Sequence, residues 1–533
     1  MPGPLKPPSD DFHVYDTTLR DGAQREGMSL SIHDKLTVAR HLDDLGVGFI
    51  EGGWPGASPK ETEFFKLAEK ELDLSHATLV AFGATRKADG GKAADDPQVA
   101  ALRDSGAPVV TLVAKAHTRH VDAALRTTLD ENLAMIRDTV EHLRNEGQRV
   151  FVDCEHFFDG FRLDKAYALE VVRTVVESGA DVAVLCDTNG GMLPHWVGEI
   201  VAEVMDATSA RLGIHCHNDV ACAVANSLAA VGSGATHVQG CANGYGERAG
   251  NADLFAVVAN LETKLDRKVL PDGKLAELVR ISHAISEVTN ITPDSHQAFV
   301  GASAFAHKAG LHASAVKVNE DLYQHMDPSL VGNDMRMLVS EMAGRALIEL
   351  KGKELGMDLD REMQGRVVER VKQLESQGYT FEAADASFEL MLREDVDGPS
   401  AKAYELESWR VIVEHRADGE VVSEATVKVS IDGERVVSTG EGNGPVNALD
   451  TALRQALGAR YPALADLELV DYKVRILDTT HGTSAITRVL VTTSDGKGEW
   501  DTIGVHENVV AASWQALQDA MSYGLLRASR STS

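Results

Sequence analysis

The first half of the chain alternates short apolar runs with longer segments whose apolar residues recur at helical spacing. This alternation indicates an α/β fold built on parallel strands. Eight strands are predicted, at residues 12–19, 47–52, 78–84, 108–114, 149–155, 181–187, 211–217 and 236–241. A helix is predicted after each strand, at residues 31–45, 59–72, 97–105, 130–146, 164–178, 194–207, 220–231 and 251–265. Eight such units favour a (β/α)8 TIM barrel, with an open doubly wound sheet as the main alternative.

Downstream of Arg267 the pattern becomes mainly helical, and the clearest helices are predicted at residues 360–376 and 381–393. From Tyr404 onward one pattern occurs twice: two strands joined by an Asp-Gly turn, at Asp432 and again at Asp495, precede a helix. This predicts a helical subdomain followed by an α+β C-terminal domain with a duplicated ββα-type unit. We expect a disordered leader at 1–11, the barrel at 12–280, helical subdomains at 281–398 and the C-terminal domain at 399–528.

The composition is that of a globular protein with a strongly acidic surface. There are 52 Lys and Arg residues against 81 Asp and Glu, which gives a formal net charge of −29. This excess of acidic residues disfavours nucleic acid and anionic membranes as partners, because both require basic surfaces. The chain has no run of 18 apolar residues, and its proline-rich start lacks an apolar signal core. We therefore expect no membrane-spanning helix and a cytoplasmic location.

Polar and charged side chains recur at the carboxyl ends of the predicted strands. They are Asp16, Arg20, Asp21, Glu51, Lys115, Glu155, Asp187, Thr188, His215, His217 and Asn243. In a barrel these strand ends converge on the face where active sites are built. The pattern therefore predicts an enzyme.

A candidate metal site lies at the end of the seventh predicted strand. His215 and His217 are two positions apart, so their side chains lie on the same face of an extended strand. Two imidazoles and a carboxylate such as Asp21 are suitable ligands for a divalent cation, although two hydrogen-bonded core histidines would have the same spacing. Arg20 is either half of a weak surface ion pair or a fixed cation for a carboxylate or a developing alkoxide.

Three motifs together resemble one enzyme family. They are DTTLRDGAQ from Asp16 to Gln24, HCHND from His215 to Asp219, and GERAGN from Gly246 to Asn251. With these motifs in this order, the chain resembles the 2-isopropylmalate, homocitrate and citramalate synthases, metal-dependent TIM barrels related to hydroxymethylglutaryl-CoA lyase. The resemblance covers almost the whole chain. Ala23 stands where many relatives carry Glu, but it is not one of the implied ligands.

The resemblance implies both a metal site and substrate contacts. A divalent cation (Mg, Mn or Zn) is expected to be held by Asp21, His215, His217 and Asn251. Arg20, Thr188 and Gln24 are expected to contact the substrate, and Arg20 is also expected to stabilise an alkoxide.

The family's proton-transfer groups also have counterparts in this sequence. His312 resembles the base that removes a methyl proton from acetyl-CoA, and it could come from the helical subdomain of a partner chain. Glu155 and Tyr323 resemble the assisting acid and base groups. His307 is the rival candidate for the base, and either histidine could instead cap a helix or pack in an interface.

The reaction implied by the resemblance is a Claisen-type condensation of acetyl-CoA with a small 2-oxoacid, followed by thioester hydrolysis. Residues 49–56 (FIEGGWPG) and 323–332 (YQHMDPSLVG) are most similar to the branch that uses pyruvate, on a route to 2-oxobutanoate and isoleucine. The 2-isopropylmalate and homocitrate branches remain alternatives. Small 2-oxoacids such as pyruvate and 2-oxoisovalerate differ by methyl groups, and a hydrophobic pocket distinguishes one methylene by only about 1–3 kcal/mol. A lyase and a non-catalytic metabolite sensor are further alternatives.

The C-terminal repeat is either a dimerisation element alone or a regulatory domain, because it also resembles the family domain that binds an amino acid. The second alternative implies a homodimer that is inhibited by an end product, expected to be isoleucine.

Overall fold

The computed structural model describes residues 10–88, 91–308, 310–316, 318–319, 322–340, 344–398, 403–477 and 485–531. The chain forms two compact units. The first comprises Met1–Phe305 and Met326–Asp334, and the second comprises Ala306–His325 and Met335–Ser533. Most of the leader predicted at 1–11 lies outside the described residues, which begin at residue 10.

Eight parallel strands of the first unit close into a barrel, which confirms the TIM-barrel prediction over the open sheet. The strands are β1 (His13–Asp16), β2 (Phe49–Gly53), β3 (Thr78–Ala84), β4 (Val109–Lys115), β5 (Arg149–Glu155), β6 (Val182–Asp187), β7 (Leu212–Cys216) and β8 (His237–Gly240). The pairing of β1 with β8, which sets Tyr15 beside Gln239, closes the barrel. All eight predicted strands form.

Helices surround this barrel, and each of the eight predicted ones is present. The helices of the first unit with seven or more residues are α1 (Ile32–Leu45), α2 (Pro59–Glu71), α3 (Pro97–Arg103), α4 (Leu129–Asn145), α5 (Phe157–Leu163), α6 (Lys165–Glu177), α7 (Pro194–Thr208), α8 (Ala223–Gly232), α9 (Leu254–Lys264) and α10 (Leu278–Thr289). The Ser31 side chain caps α1 and Asp34 returns the bond, which is a capping box. Helix α5 is not predicted; it follows His156, whose backbone is left-handed with φ of 55°.

Side chains from alternate strand positions fill the interior of the barrel. They include Tyr15, Phe49, Val80, Val109, Phe151, Val182, Val184 and Cys186. Gly213 makes room for a ring here, since a Cβ at this position would lie 2.9 Å from Cδ2 of His237. Because the interior is a packed core, a substrate site has to lie at the face where the strands end.

The middle of the chain is helical, as predicted, and also contains two very short strands. Its helices are α11 (Gly310–Val316), α12 (Arg345–Glu354), α13 (Arg361–Ser376) and α14 (Asp385–Asp397). The strands β9 (Ala306–His307) and β10 (Arg336–Met337) pair in parallel.

The C-terminal repeat is present, with one more strand per copy than the sequence pattern predicts. The first copy has β11 (Glu405–His415), β12 (Val421–Ile431), β13 (Glu434–Gly442) and α15 (Pro445–Gly458). The second has β14 (Glu468–Ile476), β15 (Thr487–Ser494), β16 (Glu499–His506) and α16 (Val509–Ser531). Each copy is therefore a βββα unit. Among the described helices of the whole chain, none is both long and apolar enough to span a bilayer.

Candidate metal and substrate site

Two imidazoles converge on one carboxylate at the face where the barrel strands end. Nε2 of His215 lies 3.3 Å from Oδ2 of Asp21, and Nε2 of His217 lies 3.6 Å from the same oxygen. All three side chains are buried, and one ligand atom from each lies within 4.8 Å of the others. This is the group that the spacing of the two histidines predicts when Asp21 is the third ligand.

Asn251 completes this group from the loop that follows β8. Its Nδ2 donates to Oδ2 of Asp21 at 2.9 Å and contacts Sγ of Cys241 at 3.2 Å. Gly246 lets the amide approach: its φ is 143°, and a Cβ at this position would lie 2.8 Å from Nδ2 of Asn251. The glycine-rich motif therefore positions the Asn251 side chain against Asp21 through close backbone approach.

The donor set fits a divalent cation. Oδ1 of Asn251 is buried and has no hydrogen-bond partner among the described residues. A buried polar oxygen without a partner costs free energy unless another group, such as a cation, satisfies it. One carboxylate, two imidazole nitrogens and an amide oxygen suit Mg, Mn or Zn.

The charges around the Asp21 carboxylate keep it ionised. Burial by itself would raise the pKa of Asp21, but the adjacent Arg20 charge and the His215 hydrogen bond outweigh burial and hold that pKa far below its usual range. Burial and the neighbouring His215 lower the pKa of His217 to about 4. At neutral pH Asp21 is therefore ionised and His217 is uncharged.

Arg20 is a largely buried cation held in one orientation. Its Nε donates to Oε1 of Glu51 at 2.5 Å, and its Nη1 lies 3.2 Å from Oδ1 of Asp21. The guanidinium stacks over the Phe82 ring, with Cζ 3.9 Å from the ring centroid. Glu51 is fixed in turn by the Tyr15 hydroxyl, which donates to Oε2 at 2.6 Å. The structure thus supports the fixed-cation interpretation of Arg20 over the surface ion pair.

A cavity of about 700 Å³ opens beside the ends of β3, β4 and β5, where Ala84, Lys115 and Glu155 line it. Trp54 lines it and packs edge-on against Phe82, with the ring centroids 5.7 Å apart. Glu155 and Lys115 also line the cavity and form an ion pair with each other. This volume is within the range of small-molecule sites.

Thr188 lies at the end of β6, where three loops meet. Its hydroxyl accepts a hydrogen bond from the backbone N–H of His156 at 2.9 Å. Arg248 donates to the Thr188 carbonyl and to Asp219, which ties together the loops after β6, β7 and β8. Gln24 is exposed at the end of the short 3-10 helix that follows Asp21.

The predicted base residues lie in the second unit. His312 and Tyr323 are stacked, with ring centroids 4.2 Å apart, and the rings of His307 and His312 are 6.0 Å apart. Burial and the neighbouring His312 lower the pKa of His307. His312 therefore lies between the two other rings, in contact with Tyr323 and next to His307.

Some polar residues at the strand ends form hydrogen bonds that stabilise the neighbouring loops and do not join the candidate site. Asp16 accepts from the backbone N–H and the hydroxyl of Thr18, at 2.8 Å each. Asp187 accepts from the backbone N–H groups of Gly191 and Met192. The Asn243 amide donates to the Ser282 carbonyl and the Ser286 hydroxyl.

The sequence pattern misses two buried polar residues next to the candidate metal ligands, in the interior of the barrel. Asp153 and Gln239 are hydrogen-bonded at 2.9 Å, and Gln239 also contacts His215. Burial, together with the Glu51 charge, raises the pKa of Asp153 to about 7. The available signal is their position: Asp153 precedes Glu155 by two residues and Gln239 follows His237 by two, so both point into the barrel.

The chain also matches known protein families over most of its length. Residues 11–285 match the HMGL-like family, residues 299–379 match a domain described as homocitrate synthase post-HMGL domain-like, and residues 382–525 match the LeuA allosteric (dimerisation) domain.

Curated relatives match along nearly the full chain. An (R)-citramalate synthase of Streptomyces coelicolor is 68% identical, over 97% of both chains. One of Aquifex aeolicus is 46% identical, over 97% of this chain and 98% of its own. A 2-isopropylmalate synthase of Methanocaldococcus jannaschii is 33% identical, over 96% and 94%. The chain therefore belongs to the (R)-citramalate synthase family, whose barrel is of the HMGL-like type.

Proposed function

We propose that this chain is a divalent-metal-dependent acyltransferase that condenses acetyl-CoA with pyruvate and water to give (R)-citramalate and CoA. The observation that carries the proposal is the convergence of Asp21, His215 and His217 beside the largely buried cation Arg20. The names of relatives at 68% and 46% identity support pyruvate as the 2-oxoacid.

In this proposal Asp21, His215, His217 and Asn251 hold the cation, for which Mg, Mn and Zn are the candidates. A bound divalent cation supplies Lewis-acid polarisation of the 2-oxoacid carbonyl. Ionised Asp21 and neutral His217 are both in the protonation state that a metal ligand requires.

Arg20 stabilises the alkoxide that forms when the carbonyl carbon is attacked. Its guanidinium is already fixed by Glu51 and Phe82, so little reorganisation accompanies the development of negative charge. Thr188 contacts the substrate carboxylate: its oxygen accepts from the His156 N–H, which leaves its hydroxyl hydrogen to donate. Gln24 is assigned to the same substrate-binding role.

Proton transfer begins at the acetyl methyl group. A histidine of the second unit, His312 or His307, removes the methyl proton, and Tyr323 assists as its stacked neighbour. The resulting enolate carbon attacks the polarised carbonyl and forms the new C–C bond. Glu155, held by Lys115 at the cavity wall, assists as an acid or base while water cleaves the thioester and releases CoA.

Thiol release from acetyl-CoA with a panel of 2-oxoacids tests the proposed reaction. Release with pyruvate in clear preference to 2-oxoisovalerate and 2-oxoglutarate is expected. Preference for 2-oxoisovalerate would assign the chain to 2-isopropylmalate synthesis, and preference for 2-oxoglutarate to homocitrate synthesis. No release with any 2-oxoacid would favour a metabolite sensor.

The two candidate bases are separable by substitution. The variants His312→Ala and His307→Ala are compared for solvent deuterium exchange into the acetyl methyl group. Loss of exchange only in His312→Ala would assign the base to His312. Loss only in His307→Ala would reverse that assignment, and exchange in both variants would remove the base from this cluster.

We further propose that the chain is a cytoplasmic homodimer inhibited by isoleucine, as the first step of a route from pyruvate to 2-oxobutanoate and isoleucine. The match of residues 382–525 to the LeuA allosteric (dimerisation) domain supports this proposal. Sedimentation of the full chain is expected to give twice the monomer mass. Thiol release should fall with isoleucine and not with leucine; equal insensitivity to both would contradict the regulatory role.

A further inference from the structure

Gln239 lies in the barrel interior directly below the metal ligands and has no part in the reaction proposed above. It is fully buried in β8. Its Oε1 lies 2.9 Å from Nδ1 of His215. Its Nε2 lies 2.9 Å from Oδ1 of Asp153 and 3.4 Å from Nε2 of His237.

The two groups that contact Nε2 of Gln239, from Asp153 and His237, are arranged to accept hydrogen bonds. Asp153 presents Oδ1, which accepts when the carboxylate is ionised and also when its proton lies on Oδ2. His237 presents Nε2, which accepts when its ring carries the proton on Nδ1. That Nδ1 lies 3.1 Å from Nδ1 of His13, so one of these two nitrogens donates and the other accepts.

Asp10, at the opposite end of the barrel, sets the direction of this chain of hydrogen bonds. Its Oδ1 lies 3.0 Å from Nε2 of His13 and accepts from it, which places the His13 proton on Nε2. Nδ1 of His13 then accepts from Nδ1 of His237, and Nε2 of His237 accepts from the Gln239 amide. Asp10 and Asp153 thus both turn the Gln239 nitrogen away from His215.

The amide oxygen therefore faces His215 and can only accept. His215 has to carry its proton on Nδ1, which leaves the lone pair on Nε2, the atom 3.3 Å from Oδ2 of Asp21. His217 differs in this respect, because its Nδ1 is buried and has no hydrogen-bond partner among the described residues. The protein fixes the tautomer of one of its two imidazole ligands.

We propose that Gln239 is a positioning residue that holds the His215 imidazole with its Nε2 lone pair directed at the metal position. Groups that accept the second N–H of a metal-bound histidine orient the ring and increase its basicity, and their loss costs about 10–100-fold in metal affinity. The inference rests on the proposed metal-dependent function and adds a determinant of metal affinity that does not touch the substrate.

The test is calorimetric titration of Mn²⁺ and Zn²⁺ into metal-free full-length protein. Gln239→Met keeps the side-chain length but removes the strong acceptor, so metal affinity should fall about 10–100-fold. Gln239→Glu keeps an acceptor for His215 and should bind within about threefold of the unsubstituted chain. Asn226→Leu is the matched control, because Asn226 is an equally buried amide that donates to the Met192 carbonyl.

The outcomes separate this inference from the proposed function. Unchanged affinity in Gln239→Met, or an equal loss in Asn226→Leu, would overturn the role of Gln239 alone. If Gln239→Met does not fold, the imidazole ¹⁵N shifts of His215 in the metal-free unsubstituted chain decide: a proton on Nδ1 supports the proposal, and a proton on Nε2 alone overturns it. If the unsubstituted chain binds neither ion, the proposed metal-dependent function fails and this inference fails with it.

Discussion

Two pairs of histidines lie inside the same barrel, and their surroundings differ. At one end, His13 and His237 pair through their Nδ1 atoms, pack against Phe49 and Phe151, and are continued by Asp10. Each ring nitrogen of this pair has a partner. At the other end, His215 and His217 converge on Asp21, beside an amide oxygen and an imidazole nitrogen that have none among the described residues.

This difference separates structural polar groups from functional ones. Both pairs are buried, so burial alone does not mark a site. The pair His13 and His237, called the lower pair below, finds all its hydrogen-bond partners within the protein. Its partner Asp10 is held in turn by Arg149 and Arg211. The group of Asp21, His215, His217 and Asn251, called the upper group below, includes buried polar atoms that have no hydrogen-bond partner among the described residues. A bound cation would supply the missing interaction. A candidate binding site is therefore indicated by polar side chains that converge and leave buried atoms without hydrogen-bond partners.

The largest expected effect comes from removing one histidine of the upper pair. His215→Ala should abolish metal binding and lower thiol release by on the order of 10³-fold, because a ligand is lost. His13→Phe, at the His13–His237 pair, should keep the metal content, because Asp153 still holds the Gln239 amide nitrogen. Metal analysis and steady-state kinetics check both variants, and a His215→Ala protein that retains its metal would remove the distinction between the pairs.

Arg20 and Arg149, the cations at the two ends of the barrel, should differ in their effect on catalysis. Arg20→Lys cannot hold both Glu51 and Asp21 in the fork geometry of a guanidinium, so kcat should fall by about 10²-fold while metal affinity changes little. Arg149→Lys, at the lower end, should leave kcat unchanged. Measured kcat values and metal titrations decide, and an unaltered kcat in Arg20→Lys would contradict a catalytic role for Arg20.

The lower pair should instead make stability depend on pH. Burial lowers the pKa of His13 to about 4, and the charges of Arg211 and Arg149 act in the same direction. The hydrogen bond to Asp10 raises this pKa but does not outweigh burial. The other imidazole ring in contact with His13 is that of His237. The unfolded chain, with a usual histidine pKa of about 6.5, therefore binds more protons between these values. The free energy of unfolding should fall as the pH drops through this window, by up to about 3 kcal/mol.

Urea unfolding of the barrel at pH 7 and pH 4.5 measures this dependence. The difference between the two pH values should be smaller in His13→Phe than in the unsubstituted chain. An identical pH difference in both proteins would show that His13 does not contribute.

The smallest effect is expected at a buried carboxylate that does not converge with others. Asp187 lies at a strand end but accepts from the backbone N–H groups of Gly191 and Met192. Asp187→Asn should leave metal affinity within about threefold and cost about 1 kcal/mol of stability, the usual worth of such a bond. A tenfold loss of metal affinity would place Asp187 within the site.

The barrel was predictable because its strands are buried apolar runs separated by amphipathic helices. Strands β11 and β14 were not, because they are exposed along much of both faces and so lack a clear alternation of apolar and polar residues. Helix α5 was missed for another reason: it follows β5 after a single residue, His156, and has only seven residues.

The candidate site was predictable where neighbouring residues share a face and not where the partners are distant. His215 and His217 are two positions apart on one strand, so their shared orientation follows from strand geometry. Asp153 and Gln239 are 86 positions apart, and each looks like an isolated polar residue in an apolar run. Their contact depends on the order and register of the strands, which a single sequence does not specify.

The most direct test of the central claim is chelation and restoration of thiol release with pyruvate. Metal-free full-length protein should release no CoA thiol from acetyl-CoA and pyruvate, and adding back Mg²⁺, Mn²⁺ or Zn²⁺ should restore release in the unsubstituted chain and not in His215→Ala. Full thiol release from the chelator-treated protein, or restoration of His215→Ala by the same ions, would contradict a catalytic metal at Asp21, His215 and His217.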